Sequence, residues 1–323
     1  MDCIHSALRF GLSFTSIRTI FNRAYNKLSA AEKSDYHSKY WNLFRGHQTE
    51  WSGRWELEIG KRTIYLPLQG ERMWLDWDHG ISLLGHDMEI KNFYANLLRS
   101  AERPDVFFDV GANYGTHSLL FSCLGVPSFT FEPNATCHPV FKEMCALNSV
   151  EPQIEHVAIA ATAGTLELRY PEKFTWLGSV RGDVSRELGK QYELLCERVA
   201  AFPLDRYQEL LAGKRALIKV DTEGNELEVF RGASRIMSEA RPIIVFESNH
   251  DATDRKDIGN LLDGYEYEIY GLQMIHSPKK LGAQNFVGAK ETNFAAWPKE
   301  RSMLADYDTS ICFDEEPDHR GSR

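Results

Sequence analysis

The 323-residue sequence lacks long apolar runs, paired cysteines and an excess of basic residues, and each absence excludes a class of protein. No run of about 18 apolar residues occurs, so no transmembrane helix is expected. The six cysteines are scattered without a C-x-x-C pair, which indicates reduced thiols and a cytoplasmic protein. The net charge of -9 argues against a nucleic-acid partner, because phosphate binding needs a basic face.

Acidic residues are absent from residues 3–31, where four basic residues occur and apolar residues recur at helical spacing. A basic amphipathic helix of this kind can pack on the catalytic domain or on a partner subunit, lie on an anionic membrane surface, or serve as a transit peptide. Packing is favoured because such charge patterns are weakly specific. Peripheral membrane contact and assembly into a homodimer stay open as alternatives.

The G-x-G-x-x-G pattern of nicotinamide-binding turns is also missing. An apolar, strand-like run over residues 106–110 carries Asp109 near its end and breaks into a turn with glycines four residues apart. Counted from Gly111, the third and sixth residues are Asn113 and Thr116 rather than glycine. Glycines here let a ligand approach the backbone beyond the end of a strand. The turn therefore predicts a cofactor site but disfavours a nicotinamide oxidoreductase.

A second strand-like run, residues 128–132, ends in Glu132 and is followed by Pro133. The proline keeps the preceding residue extended and stops the strand. A carboxylate at this place can accept hydrogen bonds from both hydroxyl groups of a ribose. Two strands that end in acids on either side of one glycine turn predict a cofactor that contains a nucleoside.

A third apolar run, residues 216–221, delivers Asp221 and Glu223 to its carboxyl end. The next run ends at Glu247 and is followed by His250. If the two strands are neighbours, these four ionisable groups converge on one rim of the sheet, which indicates acid–base or metal chemistry. Clustered carboxylates suit Mg²⁺, with Asp221 and Glu247 as candidate ligands, although a metal is not the favoured interpretation.

Strand-like and helix-like patterns alternate from residue 103 onward, which predicts a doubly wound, largely parallel α/β sheet covered on both faces. The last two of the seven predicted strands suit an antiparallel pair. The predicted strands are residues 105–110, 128–132, 154–160, 216–221, 242–247, 265–270 and 292–297. The predicted domains are an N-terminal extension (1–100, with a helical segment and an aromatic-rich region), a catalytic domain (101–300) and a C-terminal tail (301–323).

Three stretches of the sequence resemble the FkbM family, a branch of the class I methyltransferases that use S-adenosylmethionine. Residues 109–115 resemble the family's DVGAN-x-G turn, and residues 131–134 resemble its FEPN stretch. Residues 218–226 resemble its IK-x-D-x-EG-x-E signature, which is the most specific of the three. The resemblance covers roughly residues 85–297 and leaves the first 80 or so residues unexplained.

The resemblance implies a seven-stranded, Rossmann-like methyltransferase sheet and assigns the cofactor site residue by residue. The turn after the first strand would hold the methionine part of S-adenosylmethionine, the acid after the second strand would hold the ribose, and the end of the third strand would lie near the adenine. The implied cofactor-binding residues are Asp109, Gly111, Asn113, Gly115, Glu132 and Ala158.

The resemblance also implies transfer of a methyl group to a hydroxyl of a sugar, a glycan or a glycosylated metabolite. An alcohol needs a base to accept its proton, and the candidate bases are Asp221 and His250, assisted by Glu223. Acceptor specificity is expected in residues 1–100 and 170–200, since loops and appended segments usually determine it. The alternatives are N-methylation of a small molecule and a non-catalytic binding or scaffold module.

Overall fold

The computed structural model describes residues 7, 10–29, 31–33, 53–59, 61–68, 87–248, 252–304 and 306–309. Strands and helices alternate through the larger part of the chain, and the predicted α/β class is confirmed. The strands are β1 (Arg54–Ile59), β2 (Arg62–Pro67), β3 (Val106–Val110), β4 (Ser128–Phe131), β5 (Ile154–Glu155), β6 (Ala158–Ile159), β7 (Gly164–Pro171), β8 (Leu194–Phe202), β9 (Ala216–Val220), β10 (Ile243–Glu247), β11 (Tyr267–Gly271), β12 (Lys279–Leu281) and β13 (Asn293–Pro298).

The helices lie mainly between these strands. The α-helices are α1 (Thr15–Asn26), α2 (Met88–Arg99), α3 (Thr116–Cys123), α4 (His138–Leu147), α5 (Gly182–Leu188), α6 (Glu226–Arg231), α7 (Ala252–Gly264) and α8 (Ala283–Val287). Short 3-10 helices span Ala135–Cys137, Thr175–Leu177 and Leu204–Leu211, and a π-helical turn spans Ile236–Ala240. Among the described helices, none has the length and apolar content that crossing a bilayer requires.

Eight strands form the main sheet in the order β12–β11–β13–β10–β9–β3–β4–β5. Strands β3, β4, β5, β9 and β10 run parallel, and β13 is antiparallel to both β10 and β11. From β3 the chain adds β4 and β5 on one side of the sheet, and it later adds β9 and β10 on the other side. The topological switch point therefore lies between β3 and β9. In open α/β sheets the ligand binds in the crevice at the carboxyl ends of the strands on either side of this point.

The three central strands β3, β9 and β10 consist almost entirely of buried residues. Nearly continuous apolar runs are typical of parallel strands that are covered on both faces, which explains why the sequence predicts them well. The charged residues in these strands are Asp109 in β3, Lys219 in β9 and Glu247 at the end of β10, and Asp109 and Lys219 are both buried. A buried charge is costly unless it is paired, so both residues point to chemistry rather than to packing.

The structure differs from the predicted seven-stranded sheet in two places. The short strand β12 pairs with β11 and adds an eighth, edge strand. The predicted strand 154–160 is divided, because only β5 pairs with β4, while β6 joins a separate sheet in the order β6–β8–β7. Strands β7 and β8 of this small sheet begin and end residues 164–202, a stretch that the sequence alone leaves without an assigned element.

The N-terminal helix α1 packs on the β1–β2 hairpin of the same chain. Arg18 is fully buried in this contact and donates hydrogen bonds to the carbonyl oxygens of Leu12 (2.7 Å) and Arg54 (3.1 Å). Asn22 accepts a hydrogen bond from the backbone N–H of Glu58 at 2.7 Å. The helix thus packs within its own chain on the hairpin of the predicted N-terminal extension, and its packing on the catalytic domain, membrane contact and dimerisation stay predictions.

The hairpin is in turn fixed to the core through the end of α4. The side-chain amide of Asn148 accepts from the backbone N–H of Tyr65 (2.8 Å) and donates to the carbonyl oxygen of the same residue (2.7 Å). With these two bonds, the side chain of Asn148 satisfies the backbone N–H and C=O of Tyr65, as the backbone of a neighbouring strand would. The extension is therefore attached at the helix that follows β4.

Candidate active site

The turn after β3 has a backbone conformation that favours glycine. Gly111 and Gly115 have φ values of 75° and 71°, and Asn113 lies at 50°. A Cβ atom on Gly111 would lie 1.8 Å from the carbonyl oxygen of Asp221, and one on Gly115 would lie 2.4 Å from the ring of Phe141. Only glycine allows this approach, so the turn is pressed directly against the end of β9.

Asp109 lies beneath this turn and holds the start of α3. Its Oδ2 accepts hydrogen bonds from the backbone N–H (3.1 Å) and the hydroxyl (2.9 Å) of Ser118, and its Oδ1 lies 4.0 Å from Nζ of Lys219. Burial raises the pKa of Asp109, while Lys219 and Ser118 oppose that shift. Its side chain is fully buried, so direct contact between Asp109 and a cofactor stays a prediction.

Glu132 connects the turn to the end of β4. One carboxylate oxygen accepts from the backbone N–H of Asn113 at 2.6 Å, and the other accepts from that of Asn134 at 2.7 Å. Each oxygen keeps a further lone pair that could accept from a hydroxyl. Burial raises the pKa of Glu132 to about 7, against the opposing effect of the two N–H donors.

The raised pKa of Glu132 predicts a specific pH dependence of stability. Its ordinary pKa is 4.5, so between about 4.5 and 7 the folded protein holds a proton that the unfolded chain has lost. Unfolding free energy should fall as pH rises through this interval, by about 3 kcal/mol for this group. Chemical denaturation of the ligand-free protein at pH 5 and pH 7.5 measures the fall, which Glu132→Gln should make smaller. An equal fall in the variant would contradict this assignment.

A cavity of about 680 Å³ lies at the carboxyl ends of the central strands, a volume suited to a nucleoside-sized ligand together with a second small molecule. Apolar side chains, including Phe131 and Ile159, line the part around Ala158. The predicted site residues that line the cavity are Gly111, Asn113, Glu132, Ala158, Asp221, Glu223 and Glu247. Asp109 and Gly115 lie outside the lining, and His250 falls outside the described residues.

Three carboxylates meet where β9 and β10 end. The two strands are parallel neighbours, as the predicted convergence requires. One oxygen from each of Asp221, Glu223 and Glu247 lies within 4.8 Å of the others. Glu223 has a left-handed backbone conformation (φ 51°), which is uncommon for this residue type and aims the loop after β9. The rim predicted from the sequence therefore exists for three of its four members.

Lys219 lines the cavity beside the acid rim and is a candidate site residue that the sequence analysis did not assign. Its Nζ lies 2.9 Å from Oδ2 of Asp221 and 4.0 Å from Oδ1 of Asp109, and its side chain is 5% exposed. Burial alone would lower the pKa of Lys219, but the charges of Asp221 and Asp109 outweigh that effect and raise it. The signal in the sequence was a single lysine within an otherwise apolar strand.

The three rim carboxylates are not equivalent. Burial raises the pKa of Glu223 and of Glu247 well above the usual range, and the negative charge of Asp221 raises both further. Glu247 also makes a hydrogen bond with Asp221. Asp221 thus lies between the Lys219 ammonium, 2.9 Å away, and the carboxyl group of Glu247, with which it shares a hydrogen bond.

The loop after β9 is held by Glu226. Its Oε1 accepts hydrogen bonds from the backbone N–H groups of Thr222 (2.9 Å) and Gly224 (3.1 Å) and from the hydroxyl of Thr222. Glu226 is buried, so it does more than neutralise the start of α6, the role that its position in the sequence indicates. Its contacts fix the loop that carries Glu223.

The segment between β7 and β8 covers the cavity and is attached at both halves of the site. The hydroxyl of Thr175 donates to Oδ1 of Asn113 in the glycine turn at 2.9 Å. The hydroxyl of Ser179 donates to the carbonyl oxygen of Glu223 at 2.9 Å, and Arg181 donates to that of Gly224 at 3.0 Å. The predicted specificity region thus contacts both the glycine turn and the acid rim.

Aromatic side chains of the same segment line the cavity. Trp176 and Tyr192 both contribute to its wall, and each contacts the ring of Phe174, with ring centroids 5.0 and 5.2 Å apart. Aromatic rings offer a flat apolar surface with polar edges. The aromatic side chains therefore form the wall of the cavity on the side of the segment between β7 and β8.

The strand order, the glycine turn after β3 and the acid after β4 define a class I methyltransferase fold. Residues 109–269, about half of the chain, match the model of the methyltransferase FkbM domain. The chain belongs to the FkbM methyltransferase family.

One similar protein is the hexuronic acid methyltransferase AglP of Haloferax volcanii. It is 31% identical over 175 residues, an alignment that covers 51% of this chain and 64% of AglP. The chain therefore spans less than two thirds of the length of this relative.

Solved structures of methyltransferases are also similar. The methyltransferase FkbM of Methylobacillus flagellatus KT is 18% identical, with a TM-score of 0.38 and coverage of 69% of this chain and 61% of the other. The ribosomal protein L11 methylase of Lactobacillus delbrueckii subsp. bulgaricus is 12% identical, with a TM-score of 0.35 and coverage of 67% and 80%. Such low scores carry little weight, and the fold class rests on the strand order described above.

Proposed function

We propose that this protein is an S-adenosylmethionine-dependent O-methyltransferase that acts on a hydroxyl of a sugar, a glycan or a glycosylated metabolite. The observation that carries the proposal is the contact between the glycine turn and the acid rim. Gly111 lies directly against the backbone of Asp221, and both residues line one cavity. A methyl donor and its acceptor must meet in such a shared space, and the name of the AglP relative supports a sugar as the acceptor.

The residues present fit S-adenosylmethionine. The glycine turn lines the cavity through Gly111 and Asn113, each carboxylate oxygen of Glu132 keeps a lone pair for a ribose hydroxyl, and the wall around Ala158 is apolar enough for an adenine. When bound, this cofactor supplies a methyl group attached to a positively charged sulfur atom. The sulfur is a good leaving group when the methyl group is transferred. The protein's main task is then to align the acceptor oxygen with that methyl group.

Asp221 is the proposed base. It lies at the mouth of the sheet and is 29% exposed, whereas Lys219 behind it is buried. Lys219 and Glu247 hold its carboxylate in place, so it can accept the hydroxyl proton while the oxygen attacks. Glu223 would bind a neighbouring hydroxyl of the acceptor. His250 stays the alternative base from the sequence.

The test of the proposed function combines binding with transfer. Calorimetry should show that S-adenosylmethionine and S-adenosylhomocysteine bind and that NAD does not. Labelled S-adenosylmethionine should then transfer its methyl group to a hydroxyl in a panel of glycosides. Binding of NAD in place of S-adenosylmethionine would contradict the proposal. Cofactor binding without transfer to any sugar or extract would instead favour a non-catalytic module.

A divalent metal should be unnecessary for the reaction. Asp221, Glu223 and Glu247 are close enough to bind one ion, but Lys219 already supplies positive charge at Asp221. Methyl transfer should therefore keep its full rate after dialysis against EDTA. A loss of activity that added Mg²⁺ restores would show that the rim binds a metal.

A further inference from the structure

Large apolar side chains are exposed on the N-terminal helix α1 and on the residues just before it. Six large hydrophobic side chains are exposed among the described residues, and four of them lie within residues 10–20. They are Phe10, Phe14, Ile17 and Ile20, with exposed fractions of 69%, 51%, 42% and 60%. Isolated exposed apolar side chains are ordinary on a protein surface, but a contiguous group of them marks an interaction site.

These four side chains form one stripe. The rings of Phe10 and Phe14 meet edge to face, with their centroids 5.5 Å apart. The backbone N–H of Ile17 donates to the carbonyl oxygen of Phe14 at 3.1 Å, so the helical turn reaches back to that residue. Ile17 follows Phe14 by three residues and Ile20 follows Ile17 by three, and residues at this spacing are neighbours on a helix surface. We call this stripe the outer face of α1.

Another side of α1 is already packed within the chain. Arg18, Asn22 and Tyr25 are buried there, and the first two make hydrogen bonds to the backbone of β1. A surface helix needs one such stripe to bind its own protein. The outer face is a second stripe, which remains exposed when α1 is packed on the hairpin.

The outer face lies in the basic part of an acidic protein. Residues 1–68 contain ten basic and six acidic residues, whereas the whole chain has a net charge of -9. On α1, Arg23 is exposed, although it forms an ion pair with Glu58, and Lys27 is exposed at the end of the helix. An anionic surface is the partner that complements this charge.

Charge also distinguishes between the possible occupants of the outer face. In a two-fold dimer formed through this face, the basic residues of one copy would lie near the same residues of the other copy, and like charges would repel. A bilayer that contains anionic lipids brings the opposite charge. Its acyl region also accepts phenylalanine and isoleucine side chains, so it satisfies both features of the helix.

We propose that the outer face of α1 binds the surface of a membrane that contains anionic lipids. The helix lies in the plane of the interface, with its outer face at the boundary of the acyl chains and with Arg23 and Lys27 at the level of the headgroups. No described residue of α1 lines the cavity, so the inference does not depend on the proposed function.

Sedimentation of the full-length protein with lipid vesicles tests the proposal. One set of vesicles contains phosphatidylcholine alone, and the other is an equal mixture of phosphatidylcholine and phosphatidylglycerol. Binding to the mixed vesicles should be stronger by about tenfold, and added salt should weaken it because salt screens the attraction to the headgroups. Hydrogen exchange of the wild type should slow within residues 10–26 on the mixed vesicles, which locates the contact without any substitution.

Two variants connect the binding to the outer face. Phe14→Ser and Ile20→Ser each remove one large apolar side chain, so each should weaken vesicle binding by about tenfold. Ile275→Ser is the matched control, because Ile275 is 47% exposed but lies far along the chain from α1. It should bind vesicles as the wild type does. All three variants should unfold near the temperature of the wild type, since the replaced side chains are exposed.

The contribution of charge is tested separately. Lys27→Gln removes an exposed positive charge from the end of α1 and should weaken binding to the mixed vesicles severalfold. Lys256→Gln removes the same charge from an exposed position on α7 and should leave binding unchanged.

Several results would overturn the proposal. One is the absence of wild-type binding to either set of vesicles, and another is equal binding to both sets. Equal binding by the wild type, Phe14→Ser and Ile20→Ser would show that the contact lies elsewhere. A dimer in light scattering that both of these variants dissociate would assign the outer face to a second copy of the chain.

Discussion

Replacing Asp221 with asparagine should abolish methyl transfer while S-adenosylmethionine still binds with nearly unchanged affinity. Asparagine keeps the shape of the side chain but cannot accept the acceptor's proton. Loss of a general base typically reduces a rate by about 10²–10⁴-fold. Single-turnover transfer and calorimetric titration of the cofactor, performed on the same preparation, separate the two effects.

The control for this variant is Asp105→Asn. Asp105 lies just before β3, at the opposite end of the sheet, and makes an exposed ion pair with Arg215. Exposed ion pairs contribute little to stability, so this variant should retain both binding and transfer. If Asp221→Asn loses cofactor binding instead, the division of the cavity into a cofactor part and an acceptor part is wrong. If it retains the wild-type rate, another group is the base.

Substituting alanine for Gly111 should eliminate cofactor binding and transfer. The new Cβ atom would lie 1.8 Å from the carbonyl oxygen of Asp221, and the backbone φ of 75° strains any L-residue. The conflict is with backbone rather than with a flexible side chain, so the turn or the end of β9 must move. Either movement reshapes the cavity at the point where its two parts meet.

Gly125→Ala is the matched control for this substitution. Gly125 has a similar φ of 80°, but a Cβ atom there would contact nothing within 4 Å. It should therefore show only the backbone strain, about 1–2 kcal/mol of unfolding free energy, and keep its cofactor affinity. Thermal unfolding and calorimetry measure both quantities. Equal affinities in the two variants would contradict the role assigned to the close contact at Gly111.

The sequence predicts the central part of this protein because local patterns determine it. Strands β3, β9 and β10 are short apolar runs with an acid at or just beyond their carboxyl ends, and parallel strands bring such ends to one edge of the sheet. The glycine turn was also predictable, since positions that need a positive φ select glycine. Asp221, Glu223 and Glu247 come together for this reason.

The remaining features depend on contacts between distant residues. The role of Lys219 follows from its position between Asp109 and Asp221, which are 112 positions apart in the chain and meet only through the pairing of β3 with β9. The division of the predicted strand 154–160 depends on β8, which follows about 40 residues later. The contacts of residues 175–181 with both halves of the site likewise cannot be predicted from the spacing of apolar residues along the chain.

The most direct test of the central claim is transfer of a labelled methyl group from S-adenosylmethionine to a hydroxyl of a glycoside, compared between the wild type and Asp221→Asn. The account predicts an O-methylated sugar with the wild type and a loss of at least about 100-fold with the variant, as expected for a general base. Equal product from both proteins, or none from a wild type that binds the cofactor, would contradict it.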